Sequence, residues 1–220
     1  MSKQPRTVLL VIDIQDAFLE PTFWGPSRSN PNFEKNAASL ITSYRHLVAK
    51  SPSLAKHKII HVRHASKSPT SPLWPTAPGF KFQPLATPRD GELVITKNVN
   101  SAFIGTDLQG VLREHFGRTS PGTGTLFIIG LSTDHCVSTS TRMAANLGVC
   151  DGDGEASGGE KGEVVLVGDA TAAWAKGIGG EFLDAETLHK AHIQSLENEF
   201  ATVRRTEDVR KAWEEWVADS

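Results

Sequence analysis

The sequence predicts an α/β protein with three layers, α/β/α, around a mainly parallel central sheet. Short apolar runs rich in branched side chains recur along the chain, as strands buried on both faces require. Stretches with helical spacing of apolar residues separate them, which suits right-handed parallel crossovers. Residues able to do chemistry stand where several of these strands end, the rim at which open parallel sheets bind ligands.

The elements follow in order. Val8 to Ile12 reads as a buried strand. Phe33 to Ala49 reads as a helix, with Phe33, Ala37, Leu40, Ile41, Tyr44 and Val48 on one face. Lys58 to Arg63 is a second strand. Ala65 to Gly91 follows as a long irregular stretch holding six of the chain's 12 prolines, a segment expected to wall a binding site. Glu92 to Thr96 is a third strand. Thr106 to Phe116 is a helix with Leu108, Val111, Leu112 and Phe116 inward.

Thr125 to Gly130 reads as a fourth strand, and Val137 to Leu147 as the helix after it, ending at Gly148. Residues 151–162, dense in Gly, Asp, Glu and Ser, read as a flexible surface insertion. Val164 to Val167 is a fifth strand. Ala185 to Phe200 and Thr206 to Ala218 close the chain as helices, Thr206 resembling an N-terminal cap ahead of Asp208. No internal repeat is found, and 1–220 is expected to form one domain.

A formal net charge of -2 predicts neither a nucleic-acid surface nor a polybasic membrane anchor. The first apolar run is too short for a signal-peptide core or a transmembrane span. Two cysteines, Cys136 and Cys150, supply no disulfide framework and suit a reducing compartment. A cytoplasmic protein is the expectation.

Cys136 sits where the fourth strand turns into a helix, in Gly130-Leu131-Ser132-Thr133-Asp134-His135-Cys136-Val137. The positive end of a helix dipole lowers a thiol's pKa, so a nucleophilic thiolate is expected there; a buried structural cysteine is the competing reading. Asp13 ends the first strand, Lys97 the third and Asp169 the fifth. Asp13 suits a general base for the thiol, and Lys97 suits a partner for both charges. The same pair also suits a plain ion pair at the sheet rim. Asp169 reads as a cap of the turn that follows it, and His189 and His192 as packing or surface residues. Cys150 reads as a bystander.

Val11-Ile12-Asp13-Ile14-Gln15-Asp16-Ala17-Phe18, Lys97 after a short strand, and the segment around Cys136 together resemble the isochorismatase-like cysteine hydrolase superfamily, which includes nicotinamidase and N-carbamoylsarcosine amidase. The resemblance spans nearly the whole chain. It implies a catalytic triad of Asp13, Lys97 and Cys136, and a cis peptide between Leu131 and Ser132. It further implies an oxyanion hole of the Ser132 and Cys136 backbone N–H groups. Phe18, Trp24, Arg63, His64, Trp74, Phe103 and Trp174 are candidates to line the pocket. Relatives are usually homo-oligomers, so a homo-oligomer is expected.

Nicotinamidases carry a metal after the second strand, held by an Asp-x-His pair and a further His. This chain has His61-Val62-Arg63-His64-Ala65-Ser66 there. Residues three apart on a strand face opposite ways, so His61 and His64 are not expected to chelate one ion. No metal and no cofactor is the expectation. The stretch looks more like a metal-free branch of the superfamily.

The resemblance implies an amidohydrolase cleaving a C–N bond of a small amide or carbamoyl compound through a Cys136 thioester. Vinyl-ether hydrolysis of the isochorismate type, led by protonation from Asp13, is the alternative. A non-catalytic binding module is a third reading, against which the full Asp, Lys and Cys set argues.

Overall fold

A computed structural model describes residues 6–51, 56–117, 124–151 and 161–218. Six strands form one sheet in the order β3-β2-β1-β4-β5-β8. They are β1 (Arg6–Ile12), β2 (His57–His64), β3 (Leu93–Lys97), β4 (Gly124–Leu131), β5 (Glu163–Ala172) and β8 (Thr202–Arg204). Every pairing in it is parallel. The sheet is therefore mainly parallel, as the buried apolar runs require.

Alternation along β1 divides the core. Leu9 and Val11 face one layer with Phe33, Leu40 and Tyr44 of α1 (Phe33–Lys50). Val8, Leu10 and Ile12 face the other, with Leu112 and Phe116 of α2 (Leu108–Gly117) and Ala144 of α3 (Ser138–Asn146). α5 (Thr206–Ala218) packs beside α1, where Trp213 meets Tyr44 edge-on at 4.9 Å and Phe127 at 5.0 Å between ring centroids. Such aromatic pairs add about 0.5–1.5 kcal/mol to plain burial.

Several boundaries differ from the sequence reading. Glu92 lies just outside β3, held by Arg45, and Lys97 is the strand's last residue. α2 starts two residues late because the Thr106 hydroxyl accepts from the Leu108 N–H at 3.3 Å. β5 runs on to Ala172, past an irregularity at which its register with β4 jumps from Ile128↔Leu166 to Gly130↔Thr171. α4 (Ala185–Leu196) stops short of Phe200, making room for β8, a strand too short to leave a sequence period. The hairpin β6 (Lys176–Ile178) and β7 (Glu181–Leu183) was also not foreseen. Gly179 and Gly180 close it with φ of +59° and +89°, the left-handed pair that two-residue turns demand. The irregular stretch after β2 contains two single-turn helices, Pro78–Phe80 and Pro84–Ala86, each opened by proline. Of the expected insertion, 152–160 lie outside the described residues.

The end of the sheet away from the strands' carboxyl termini is closed by buried polar groups. The Thr7 hydroxyl lies 2.6 Å from the Tyr44 hydroxyl and 2.8 Å from His57 Nδ1. His115 Nε2 donates to the Thr7 carbonyl at 3.1 Å. Burial, helped by nearby lysines, lowers both imidazoles to a pKa of about 4, so both are neutral in the folded protein. Unfolding releases them to about 6.5, so their contribution is complete above pH 6.5 and is lost as pH falls toward 4. Urea unfolding is expected to show a loss of about 2–3 kcal/mol per histidine between pH 7 and 4.5, with His115→Gln flattening the slope. Equal slopes in the two proteins would exclude His115 as a source.

Candidate functional site

The carboxyl ends of β1, β3 and β4 deliver three side chains to one point. After Ile12 the chain turns through Asp13 at φ +53°, a left-handed conformation rare for a residue with a Cβ. The turn is held by the Asp13 N–H on the Val62 carbonyl at 2.8 Å. Lys97 Nζ then lies 2.6 Å from Asp13 Oδ2 and 3.3 Å from Cys136 Sγ. Both side chains of the ion pair are fully buried. Asp13 Oδ1 is buried too and has no hydrogen-bond partner among the described residues.

β1 and β4 approach closely because residue 130 is glycine. Its φ is +130°, and a Cβ there would stand 2.0 Å from the Ile12 carbonyl oxygen. Beyond it the Leu131–Ser132 peptide is cis, as the resemblance implied. Residues Thr133–Val137 form one wide π-helical turn, closed by the Val137 N–H on the Ser132 carbonyl at 3.2 Å. α3 follows directly. Such turns recur at functional sites.

The expectation of a lowered Cys136 pKa is overturned. Burial pushes the thiol up, Asp13 adds to the rise, and Lys97 pulls only partly the other way. Cys136 is 8% exposed, so desolvation of a thiolate outweighs the helix end. Lys97 behaves oppositely. Burial disfavours its charge, yet attraction to Asp13, aided by Cys136, keeps it protonated and raises its pKa.

His61 and His64 face opposite ways. His61 lies on the α1 side, with Nε2 2.9 Å from Glu92 Oε2. Burial would raise the Glu92 carboxyl, but hydrogen bonds from Arg45, the Arg89 backbone and His61 hold it at about 2. His64 pairs in register with Lys97 across β2 and β3, and its Nδ1 is 3.0 Å from Lys97 Nζ. Asp13, His64 and Cys136 each bring one metal-capable atom within 4.8 Å of the others. The Lys97 ammonium bonds all three, so a cation already sits among them.

The other pocket candidates separate. Phe103 is buried in the same apolar cluster as Cys136. Its segment is tied to α3 by the Ala102 N–H on the Ser140 hydroxyl at 3.0 Å. Phe18, Trp24 and Trp174 stack together on the α1 side instead, with centroids 4.6 Å apart for Phe18 and Trp24 and 5.5 Å for Phe18 and Trp174. Arg63 is committed to the Thr96 hydroxyl at 2.9 Å and to the Phe80 ring at 4.6 Å. Trp74 is half-buried in the proline-rich stretch.

Three residues beside the site carry more than the sequence reading assigned them. Asp169 does not cap its own turn; its Oδ1 accepts from both the N–H and the hydroxyl of Thr206 at 2.7 Å, anchoring α5. Thr206 is thus a donor there rather than a capping acceptor. His189 is buried, and its Nδ1 lies 2.9 Å from the Thr133 hydroxyl of the π turn. That hydroxyl donates to Thr171 at 3.0 Å, and Thr171 in turn donates to the Gly168 carbonyl at 3.0 Å. Proton order along this chain requires His189 to donate from Nδ1.

The fold is a three-layer α/β protein whose parallel sheet brings an acid, an ammonium and a thiol together at its carboxyl rim. Residues 7–208 match the isochorismatase domain family. The chain belongs to the isochorismatase family of hydrolases. It is 33% identical over 207 residues to the uncharacterised isochorismatase family protein YrdC of Bacillus subtilis (strain 168), covering 94% of this chain and 95% of that one. An isochorismatase-family crystal structure from Chromobacterium violaceum aligns with a TM-score of 0.76 at 32% identity, over 98% and 96% of the two chains. N-carbamoylsarcosine amidase from Thermoplasma acidophilum shares the fold at 18% identity and TM-score 0.63, over 92% and 97%. No helix among the described residues is long and apolar enough to cross a membrane.

Thr133→Val leaves His189 without its acceptor and Thr171 without its donor. A destabilisation of about 1–3 kcal/mol is expected by urea unfolding. An unchanged midpoint would mean that the π turn does not depend on α4.

Proposed function

We propose that the protein is a cysteine amidohydrolase that cleaves a C–N bond of a small amide or carbamoyl compound, with Asp13, Lys97 and Cys136 as its catalytic residues. The observation that carries this reading is the Lys97 ammonium bonded at once to Asp13 Oδ2 and Cys136 Sγ. A structural ion pair does not need the thiol, and a structural thiol does not need the pair.

The raised thiol pKa dictates the order of events. Cys136 rests as S–H, so attack on the substrate carbonyl is coupled to proton transfer onto Asp13, whose Oδ1 is the buried acceptor without a partner. Lys97 stays charged and offsets the negative charge passing between sulfur and carboxylate. The backbone N–H groups of Ser132 and Cys136 receive the oxyanion, a contribution of about 3–4 kcal/mol per donor. Asp13 returns its proton to the departing nitrogen, and the C–N bond breaks to leave a thioester. Water then attacks the thioester, Asp13 taking its proton, and the acid leaves as the S–H is restored.

Ammonia release from a panel of small amides, beside pyruvate release from isochorismate, tests the reaction. Asp13→Asn is expected to lower turnover by about 10²–10⁴-fold. Cys136→Ala is expected to abolish it while circular dichroism remains native. Turnover retained in purified Cys136→Ala would overturn the thioester route, and pyruvate release alone would favour vinyl-ether hydrolysis led by Asp13.

A further inference from the structure

An ammonium has three protons, and a fully buried one must place all of them. Lys97 gives one to Asp13 Oδ2 at 2.6 Å and one to Cys136 Sγ at 3.3 Å. The third goes to His64 Nδ1 at 3.0 Å. Because an ammonium only donates, Nδ1 must carry a lone pair. The ring is then neutral, with its proton on Nε2.

The fold holds His64 in this role. β2 lies between β1 and β3, so the Lys97 chain crosses the end of β2 to reach Asp13, passing over His64. The backbone of His64 is gripped at both ends by one buried side chain: its N–H donates to Gln15 Oε1 at 2.7 Å, and its carbonyl accepts from Gln15 Nε2 at 3.2 Å. Gln15 Nε2 also donates to the Phe80 carbonyl at 3.0 Å, and the Gln15 carbonyl accepts from Gln83 at 3.2 Å. The charged or titratable groups facing the ring are Lys97 from β3, Asp13 from the end of β1 and Cys136 from the π turn. Burial and Lys97 both disfavour its protonation, against a smaller pull from Asp13.

We propose that His64 is a positioning residue that aims the Lys97 ammonium at Asp13 and Cys136 together, and that a proton on its Nδ1 disarms the cluster. A protonated ring presents N–H to N–H, so Lys97 loses its bond to His64 and with it the contact that fixes its aim at its other partners. The proposal rests on the reading of Asp13, Lys97 and Cys136 as one reactive unit. It is independent of which substrate is cleaved.

The test needs no substrate. Carbamidomethylation of Cys136 by iodoacetamide, followed by mass spectrometry of its peptide, is measured from pH 4.5 to 8 in wild type, His64→Ala, His64→Asn and Lys97→Met. Asparagine puts Oδ1 near the place of Nδ1 but does not titrate. His64→Ala is expected to slow alkylation at pH 7 about tenfold, the loss of one hydrogen bond to a charged group. His64→Asn is expected to recover most of that rate. In wild type the rate falls more steeply with decreasing pH below 6.5 than above it, because a second site takes up a proton; in His64→Asn this steepening is absent. Wild-type rates in His64→Ala, or steepening retained in His64→Asn, would overturn the proposal. If Lys97→Met also alkylates at the wild-type rate, the reading of the three residues as one unit falls as well. A slow Lys97→Met beside an unaffected His64→Ala removes only His64.

Discussion

The buried ion pair between Asp13 and Lys97 is the constraint around which the rest of the site is arranged. Two unscreened charges in the interior are tolerable only with close geometry, here 2.6 Å between Lys97 Nζ and Asp13 Oδ2. The two residues leave strands that are not neighbours. β2 lies between them, so the gap of two strand spacings, about 10 Å, is bridged by the Lys97 and Asp13 side chains reaching toward each other. A long, unbranched cationic side chain suits that reach, and its path leaves the end of β2 lying beneath the ammonium. His64 occupies that place, on the face of β2 that register assigns to it.

The pair also decides how tightly Cys136 holds its proton. In an exposed helix end the thiol would ionise readily; here it is desolvated and beside a carboxylate, and its proton is held more tightly. A free thiolate at rest would add a third buried charge to a pair that is already balanced. In the proposed reaction the thiol gives up its proton only as it attacks, with Asp13 as the receiver and Lys97 as the fixed countercharge. Charge then shifts between sulfur and carboxylate without a net change in the buried total.

Around this centre the fold spends its polar contacts on orientation. Gln15 clamps the end of β2, Thr133 and His189 tie the π turn to α4, and Asp169 holds the start of α5. The aromatic group of Phe18, Trp24 and Trp174 belongs to the layer of α1, whereas Phe103 shares a cluster with Cys136. The two layers meet at the rim because β1, β4 and β5 end there.

Local chemistry in the chain was enough to settle much of this. Apolar runs of four to six residues, alternating with helical periods, determined a parallel three-layer fold, because only strands buried on both faces read that way. Asp13, Lys97 and Cys136 were legible because each ends or closely follows such a run and because they recur together in a recognisable order. Opposite facing of His61 and His64 followed from the two-residue period of a strand. What the chain alone could not decide was anything that depends on a partner distant in sequence. The bond from His64 to Lys97 spans 33 residues, that from Gln15 to His64 49, and that from Thr133 to His189 56. The direction of the Cys136 shift was misread for the same reason. A helix end is visible in sequence, but the burial and the carboxylate that outweigh it exist only once β1, β3 and β4 are packed side by side.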